Sequence, residues 1–226
     1  MGREDAFRVR HSSVPALGES TQDQAVLNRM GFQVVTDFFT QLILGGFAYH
    51  MQLGTEDAPI NSTTSIDDQL VWAVVDQNAG YAMLPLGAQV LIANWTTSTL
   101  VNSMLEADKD KVRYASGGTA FVSANLRGDD PRAFSGAAYV GTDVTVAAKS
   151  AVPNSVELYR GQVVEDAQAT PAAGDATVAF LYSARVNPFI VLTDASSLLL
   201  HHGSATADVL SYGSMQYAQF EKGLVI

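Results

Sequence analysis

The sequence predicts an all-β fold, an antiparallel sandwich or jelly-roll barrel, for most of its 226 residues. Three observations favour this class. About ten short segments carry the apolar alternation or the continuous apolar runs that are typical of strands. Turn residues separate these segments and helical segments do not, which disfavours a parallel α/β sheet. Apolar residues make up 47% of the chain, which is enough for one sizeable core.

The N-terminal part of the chain divides into an arm and a predicted helix. Residues 1–21 are polar and are predicted to form an arm, which either frays or docks on a neighbouring subunit. Residues 22–226 are assigned to one β domain. At its start an apolar residue recurs every four positions: Val26, Met30, Val34, Phe38 and Leu42. This spacing favours a helix over 22–44 that ends at Gly45-Gly46, although the β-branched and aromatic content also suits a strand.

The strands follow in order from residue 47. FAYHMQL (47–53) alternates as in a half-buried strand, and a polar loop (54–68) comes next. LVWAVV (70–75) is apolar throughout, as in a strand covered on both faces, and a turn follows at 78–80. In the next strand one face is predicted to hold Leu84, Leu86, Ala88, Val90 and Ile92. Further strands are predicted at 97–105, 112–115, 119–123, 137–147, 156–164, 177–183, 189–200 and 209–220.

Composition excludes several classes of function. The net charge of −10 and the pI of about 4.6 predict no direct nucleic-acid partner, because such a surface repels phosphate. Four lysines stand against nine arginines, and an acidic, lysine-poor chain is compatible with a salt-loving source. The absence of cysteine excludes disulfides and thiolate chemistry. The sequence shows no signal peptide and no apolar run of about 18 residues, so no membrane span is expected.

No motif for catalysis is present, so we predict no catalytic, cofactor-binding or metal-binding residues and no enzymatic activity. His201 and His202 are adjacent and would point to opposite faces of a strand, so they cannot share one metal ion without a bulge. We expect them in a loop or at a strand end. The acidic pairs are expected to be solvated turn residues: Glu56-Asp57, Asp67-Asp68, Asp129-Asp130, and Asp108 with Asp110. Trp72 and Trp95 are predicted to lie in the core.

The stretch GGTAFVSANLRGDDPRAFS (117–135) is the most informative of the chain, because it belongs to a longer series of short motifs. The series comprises Gly45-Gly46-Phe47, Thr55 to Pro59, Leu84-Pro85-Leu86, Thr99-Leu100, Ser116 to Thr119, Asn125-Leu126-Arg127 and Ser135. Over about residues 30–145 this order resembles the single-jelly-roll major capsid proteins of tailless icosahedral viruses with an internal membrane, which infect haloarchaea and thermophilic bacteria.

The resemblance implies a structural protein in the shell of a virion that assembles in the host cytoplasm. Its vertical β-barrel would pair with itself, and with a second, related capsid protein, into pseudo-hexagonal capsomers above the internal viral membrane. Some members of the family carry an outward-facing β tower, for which residues 115–185 would have room. Two other functions stay open at this point: a carbohydrate- or receptor-binding β-sandwich module, and a jelly-roll enzyme with two carboxylates across a cleft.

Overall fold

The structure, a computed structural model, describes residues 37–63, 66, 69–95, 99–165, 177–204 and 209–224. The predicted arm at 1–21 lies outside these residues. The described part folds into two antiparallel β-sheets whose inner faces enclose a common core, so the all-β class is confirmed.

One short helix precedes the strands, and a single 3₁₀ turn, Lys222–Leu224, follows them in the described chain. The helix α1 spans Phe38–Leu44. The strands are β1 (Ala48–Leu53), β2 (Ile60–Asn61), β3 (Leu70–Gln77), β4 (Tyr81–Trp95), β5 (Thr99–Asp108), β6 (Tyr114–Ser116), β7 (Thr119–Phe121), β8 (Ala124–Asn125), β9 (Gly136–Val146), β10 (Ser155–Glu165), β11 (Thr177–Ser183), β12 (Leu192–Thr193), β13 (Ser196–Ser204) and β14 (Val209–Glu221).

The two sheets interleave strands from distant parts of the chain. The first has the order β11-β4-β14-β1-β8, with β12 paired to β4 and β2 paired to β14. The second has the order β10-β5-β13-β3-β9-β6, with β7 paired to β9. All pairings between these named strands are antiparallel. The first and last long strands, β1 and β14, are therefore neighbours, as are β3 and β13.

The core lies between the sheets and contains both tryptophans, as predicted. Trp72 is fully buried on β3, and Trp95 is 3% exposed at the end of β4. The alternation is confirmed from Tyr49 to Leu53, because Tyr49, Met51 and Leu53 are buried while His50 and Gln52 are half-buried. It does not extend to Phe47, which is half-buried, or to Ala48, which is buried outside the sandwich. β3 is buried along nearly its whole length, as the run LVWAVV predicts.

The prediction that one face of β4 holds five apolar side chains is wrong. Gln216 pairs with Gly87 and Tyr217 with Pro85, so Leu86 is an extra residue in the ladder. Such a bulge moves the following residues to the other face. Leu84 and Leu86 consequently pack beneath α1 outside the sandwich, whereas Ala88, Val90 and Ile92 point into its interior.

The predicted C-terminal end of the helix is confirmed, but its predicted N-terminal start is not. Asp37 is the N-cap: its backbone is extended (φ −68°, ψ 157°), and its carboxylate accepts a hydrogen bond from the N–H of Thr40 at 3.1 Å. One continuous helix over 22–44 is therefore wrong; residues 22–36 lie outside the described part. The helix ends at Gly45-Gly46 as predicted, and Gly46 adopts φ +70°.

The remaining strand predictions agree with the structure within a few residues, with one exception. The segment predicted at 189–200 forms β12 and β13, and β13 continues to Ser204. The strands β9, β10 and β11 lie within 115–185, and each pairs with a strand of the two sheets. A tower in this range stays a prediction.

Candidate functional site

The stretch 117–135 holds the C-terminal end of α1 against the first sheet. Arg127 donates from Nη1 to the carbonyl of Leu44 at 2.8 Å, and Arg132 donates to that of Gly45. Cations at these positions satisfy helix carbonyls and complement the helix dipole. The Arg132 guanidinium also lies 4.6 Å from the centre of the Phe47 ring. The motif residues around Arg127 therefore fix the position of α1.

Asp129 and Asp130 belong to the same arrangement and are ion-paired rather than simply solvated. Arg127 Nε lies 2.7 Å from Asp129 Oδ1, and Arg132 pairs with Asp130. The hydrogen bonds from Arg132 lower the pKa of Asp130 to about 2. Each arginine thus bridges a neighbouring carboxylate and a carbonyl at the end of α1.

An apolar groove of about 320 Å³ runs beside the start of α1. Phe38, Phe39 and Phe189 line it together with Leu84 and Ala184. Phe38 is 51% exposed and Phe189 is 57% exposed, so two aromatic rings face solvent. We call this feature the groove.

Arg185 and Asp37 also line the groove. Arg185 Nη2 lies 3.1 Å from Asp37 Oδ1, and the guanidinium lies 4.9 Å from the centre of the Phe39 ring. Hydrogen bonds from the side chain and N–H of Thr40 lower the pKa of Asp37. The charged groups of the groove are therefore paired with each other.

A second apolar surface lies where the outer edges of β10 and β11 meet. Among the described strands, β10 pairs only with β5, and β11 pairs only with β4. The two edges adjoin, since the rings of Tyr159 and Phe180 lie 5.4 Å apart. Exposed apolar side chains lie on both edge strands, Val164 on β10 and Val178 and Leu181 on β11, and Leu100, the exposed cross-strand partner of Val164, lies on β5 beside this open edge. An unpaired strand edge beside apolar side chains is a surface suited to protein contacts.

A buried polar cluster lies on the outer face of the second sheet, beneath the connection from β5 to β6. Its titratable members are Asp76, Glu106, Asp108, Arg113 and His201, each at most 4% exposed. Arg113 Nη1 lies 2.8 Å from Glu106 Oε1, and its Nε lies 3.8 Å from Asp108 Oδ2 and donates to the carbonyl of Ala147 at 2.9 Å. The guanidinium therefore joins β5 to the end of β9.

Backbone groups complete the cluster. The N–H of Tyr114 donates to Asp76 Oδ2 at 3.0 Å, and the N–H of Ser150 donates to Asp108 Oδ2 at 2.9 Å. The N–H of Arg113 donates to the hydroxyl of Ser197 at 2.8 Å, and that hydroxyl donates to Asp76. These hydrogen bonds tie the two segments that cover the cluster, one at Arg113 and Tyr114 and one at Ser150, to the carboxylates of the second sheet. The cluster therefore anchors both segments.

Two acids of this cluster, Asp76 and Glu106, differ in acidity. Burial raises the pKa of Asp76, and its hydrogen bonds only partly offset this effect. Burial also acts on Glu106, but the close contact with His201, the hydrogen bond from Ser155 and the Arg113 charge outweigh it and lower its pKa to about 2. The Nε2 atom of His201 lies 3.3 Å from Glu106 Oε2, an ion-pair distance without the alignment of a hydrogen bond. The neighbours of Glu106 therefore stabilise its charge more than those of Asp76 stabilise the charge of that carboxylate.

The two adjacent histidines lie within β13 rather than in a loop or at a strand end. They do point to opposite faces, as predicted: His201 joins the outer cluster, and His202 lies inside the sandwich beside Trp72. The His202 ring nitrogens lie 2.8 Å from the hydroxyls of Ser103 and Ser211. Burial lowers the pKa of His202 to about 3, so the ring is neutral at pH 7.

The remaining histidines and acidic residues are scattered. His50 is half-buried on β1 near Gln52, and Glu56-Asp57 lie exposed in the loop after it. Asp108 is buried, contrary to the prediction of a solvated turn, and Asp110 accepts hydrogen bonds from Ser150 and Asn154. Asp67-Asp68 and His11 lie outside the described residues.

Sequence reasoning missed the buried polar cluster. The sequence does contain a signal for this cluster. Glu106 and Asp108 interrupt the apolar pattern of a strand, and Asp76 ends the apolar run of β3. Their shared partner, Arg113, is near in sequence to β5 but gives no periodic pattern of its own. The groove was missed as well, because its walls come from α1 and from the segment after β11.

Within the described ranges, no group of three or more His, Asp or Glu residues is placed to hold a metal ion. No helix there is long and apolar enough to span a membrane. Comparison of the chain with protein-family models, with curated proteins and with solved structures gives no match.

Proposed function

We propose that this chain is a structural subunit of an icosahedral virion shell, a major capsid protein with one jelly-roll domain above an internal membrane. The observation that carries the proposal is the strand order of the two sheets. The subunit would assemble with itself and with a second, related capsid protein, and its place would be the shell of the virion.

The two sheets contain eight longer strands besides β9: β1, β3, β4, β5, β10, β11, β13 and β14. Counted along the chain, the first of these strands pairs with the eighth (β1 with β14) and the second with the seventh (β3 with β13). The third pairs with the sixth (β4 with β11) and the fourth with the fifth (β5 with β10). This pairing supports a jelly roll, in which a long double ribbon wraps around one core. Viral capsid proteins are among the jelly-roll proteins, as are lectins and cupins.

The insertion between β5 and β10, the fourth and fifth of these strands, widens the second sheet. It contributes β9 and the short β6 and β7, all in the second sheet, and β8 at the edge of the first. Its segment 117–135 carries part of the motif series of the capsid resemblance and also holds α1 in place. The proposal therefore assigns this stretch a structural role in shaping the subunit.

The open edge supports lateral contacts between subunits. Leu100 and Val164 are cross-strand partners, and Val178 and Leu181 lie on the adjoining strand β11. A shell repeats one modest contact many times, so a small apolar surface is sufficient when symmetry multiplies it. The net charge of −10 opposes such contacts at low salt. Screening reduces this repulsion, because the Debye length falls from about 10 Å at 0.1 M salt to about 3 Å at 1 M.

The experiment is light scattering of the purified chain from 0.1 M to 3 M salt, followed by negative-stain imaging of any large species. We expect regular assemblies to grow with salt. Val164→Glu places a charge on the open edge and should suppress them, whereas Val152→Glu, at an exposed position before β10, should not.

A chain that stays monomeric at every salt, alone and with its co-purified virion partner, contradicts the proposal. Saturable glycan binding by that monomer would favour the binding-module alternative. Equal assembly of the two variants would show that the open edge is not a subunit contact.

A further inference from the structure

We propose that the outer face of the first sheet, beside α1, binds a neutral sugar unit of a glycan. The site is a depression of about 260 Å³ whose floor includes Gly87, Gln89, Ser214 and Gln216, and we call it the polar depression. The proposal is independent of the capsid function. It rests on the shape of the floor, on the hydrogen-bonding groups that the floor presents, and on its lack of charge.

The polar side chains of the floor come from two neighbouring strands and face outward together. Val90 and Met215 pack in the core between the sheets, so the adjacent Gln89, Ser214 and Gln216 lie on the outer face. Ser214 lies directly opposite Gln89 in the pairing of β4 with β14. These three polar side chains make no hydrogen bond within the part of the chain that the structure describes. Their two amides and one hydroxyl are therefore available to a ligand as donors and acceptors.

Gly87 makes the floor recessed. It pairs with Gln216 on β14 and with Ser183 on β11, so it lies in the middle of three adjacent strands. A Cβ at this position would meet only ordinary contacts, 3.5 Å from the carbonyl oxygen of Tyr182 and 3.7 Å from Gln216 Oε1. The packing of the sheet therefore does not require glycine here. What the missing side chain provides is space above the sheet between the neighbouring polar groups.

The floor also differs in charge from the rest of this acidic chain. The net charge is −10, yet the only Asp, Glu, Lys or Arg in β1, β4, β11 and β14 is Glu221, the last residue of β14. Among the described residues that line the depression, Arg185 is the charged one, and it lies 3.1 Å from the carboxylate of Asp37. A charged ligand on this floor would lose hydration without gaining a counter-ion, which is costly. The ligand is accordingly neutral.

One wall of the depression is apolar. Phe39 and Ile43 of α1 form it together with Leu126. A sugar ring carries hydroxyl groups at its edge and C–H groups on its faces, so it matches a floor of amides and a hydroxyl beside an apolar wall. An apolar side chain of a protein partner would leave the amides without hydrogen-bond partners, which is unfavourable. A neutral sugar satisfies both surfaces.

Titration calorimetry of the full chain at low salt tests this with maltotriose, mannotriose, galactotriose and chitotriose, and with trigalacturonic acid as the charged comparison. Gly87→Leu fills the recess, and Gln216→Leu removes one amide at similar volume. Gln162→Leu is the matched control, because Gln162 is exposed on β10 in the second sheet. Urea unfolding checks that each variant keeps its fold, and Gln89→Leu replaces any floor variant that does not.

We expect at least one neutral trisaccharide to bind saturably with a Kd of about 1 mM or lower. Each floor substitution should weaken this binding about tenfold or more, and Gln162→Leu less than about twofold. The proposal is overturned if none of the four neutral sugars binds, if the charged trisaccharide binds equally well, or if the floor substitutions leave the affinity unchanged.

A second copy of the chain is the competing occupant. Loss of salt-dependent assembly in Gly87→Leu, without sugar binding by the unsubstituted chain, would show that a subunit contact fills the depression and would overturn the proposal. Sugar binding and the assembly of Val164→Glu are measured separately, so the failure of either proposal is recognised without the other. A chain that assembles and also binds sugar at this floor supports both.

Discussion

Removal of Arg113 tests whether the buried polar cluster is an ion-pair network that needs its cation. Arg113→Met keeps most of the side-chain volume but removes the guanidinium that lies 2.8 Å from Glu106 and 3.8 Å from Asp108. Both carboxylates would stay buried without it. Breaking a buried pair in this way costs about 3–5 kcal/mol, because an uncompensated charge is left in a medium of low polarity.

The assay is equilibrium urea unfolding, followed by the fluorescence of the two buried tryptophans, with the free energy of unfolding extrapolated to water. Arg160→Met is the matched control, since Arg160 makes a 2.7 Å pair with Glu157 that is nearly half exposed. An exposed pair contributes only about 0–1 kcal/mol. We expect the two identical substitutions to differ by at least about 2 kcal/mol.

The double variant Arg113→Met/Glu106→Gln sharpens the test. It removes the cation together with its closest anion, so its loss should fall short of the summed single losses by about 1–3 kcal/mol. The reasoning is refuted if Arg113→Met is no more harmful than Arg160→Met, or if the two cluster substitutions are additive.

Three further predictions concern the helix contact, the sheet and the buried histidine. Leu42→Ala should cost about 2–5 kcal/mol in urea unfolding and Leu44→Ala less than about 0.5, because only Leu42 is buried beneath α1. Gly213→Ala should cost about 3 kcal/mol or more, since its Cβ would lie 2.0 Å from the Gln89 carbonyl oxygen, whereas Gly128→Ala, with open space around it, should be neutral in the same assay. Unfolding lets His202 regain its ordinary pKa of 6.5 from about 3, so the protein takes up a proton on unfolding within this window. Stability should therefore fall by up to about 1.4 kcal/mol per unit as pH drops from 6.5 towards 3. His202→Asn should flatten that slope in unfolding curves measured between pH 4 and 7, and an unchanged slope would contradict the assignment.

Much of the fold could be predicted from the sequence because strand signals are local. Alternation in 47–53 and the apolar run at 70–75 determine which side chains can be buried, whatever the strands pair with. Turn residues such as Gly80, at φ +88°, mark the ends of strands for reasons that lie within a few residues. The end of α1 at Gly45-Gly46 is a signal of the same kind.

Strands that pair with each other lie far apart in the chain. The structural features that depend on this pairing therefore could not be predicted from the sequence. The bulge at Leu86 arises only when β4 aligns with β14, and this alignment decides which face of β4 meets α1. Arg113 becomes a buried cation only because β3, β5 and β13 bring Asp76, Glu106 and His201 beneath one connection. The sequence by itself therefore determined where the strands lie and that the surface is acidic. The tertiary structure decided which residues form the groove, the open edge and the buried polar cluster, because each is built from segments that meet only after the sheets have formed.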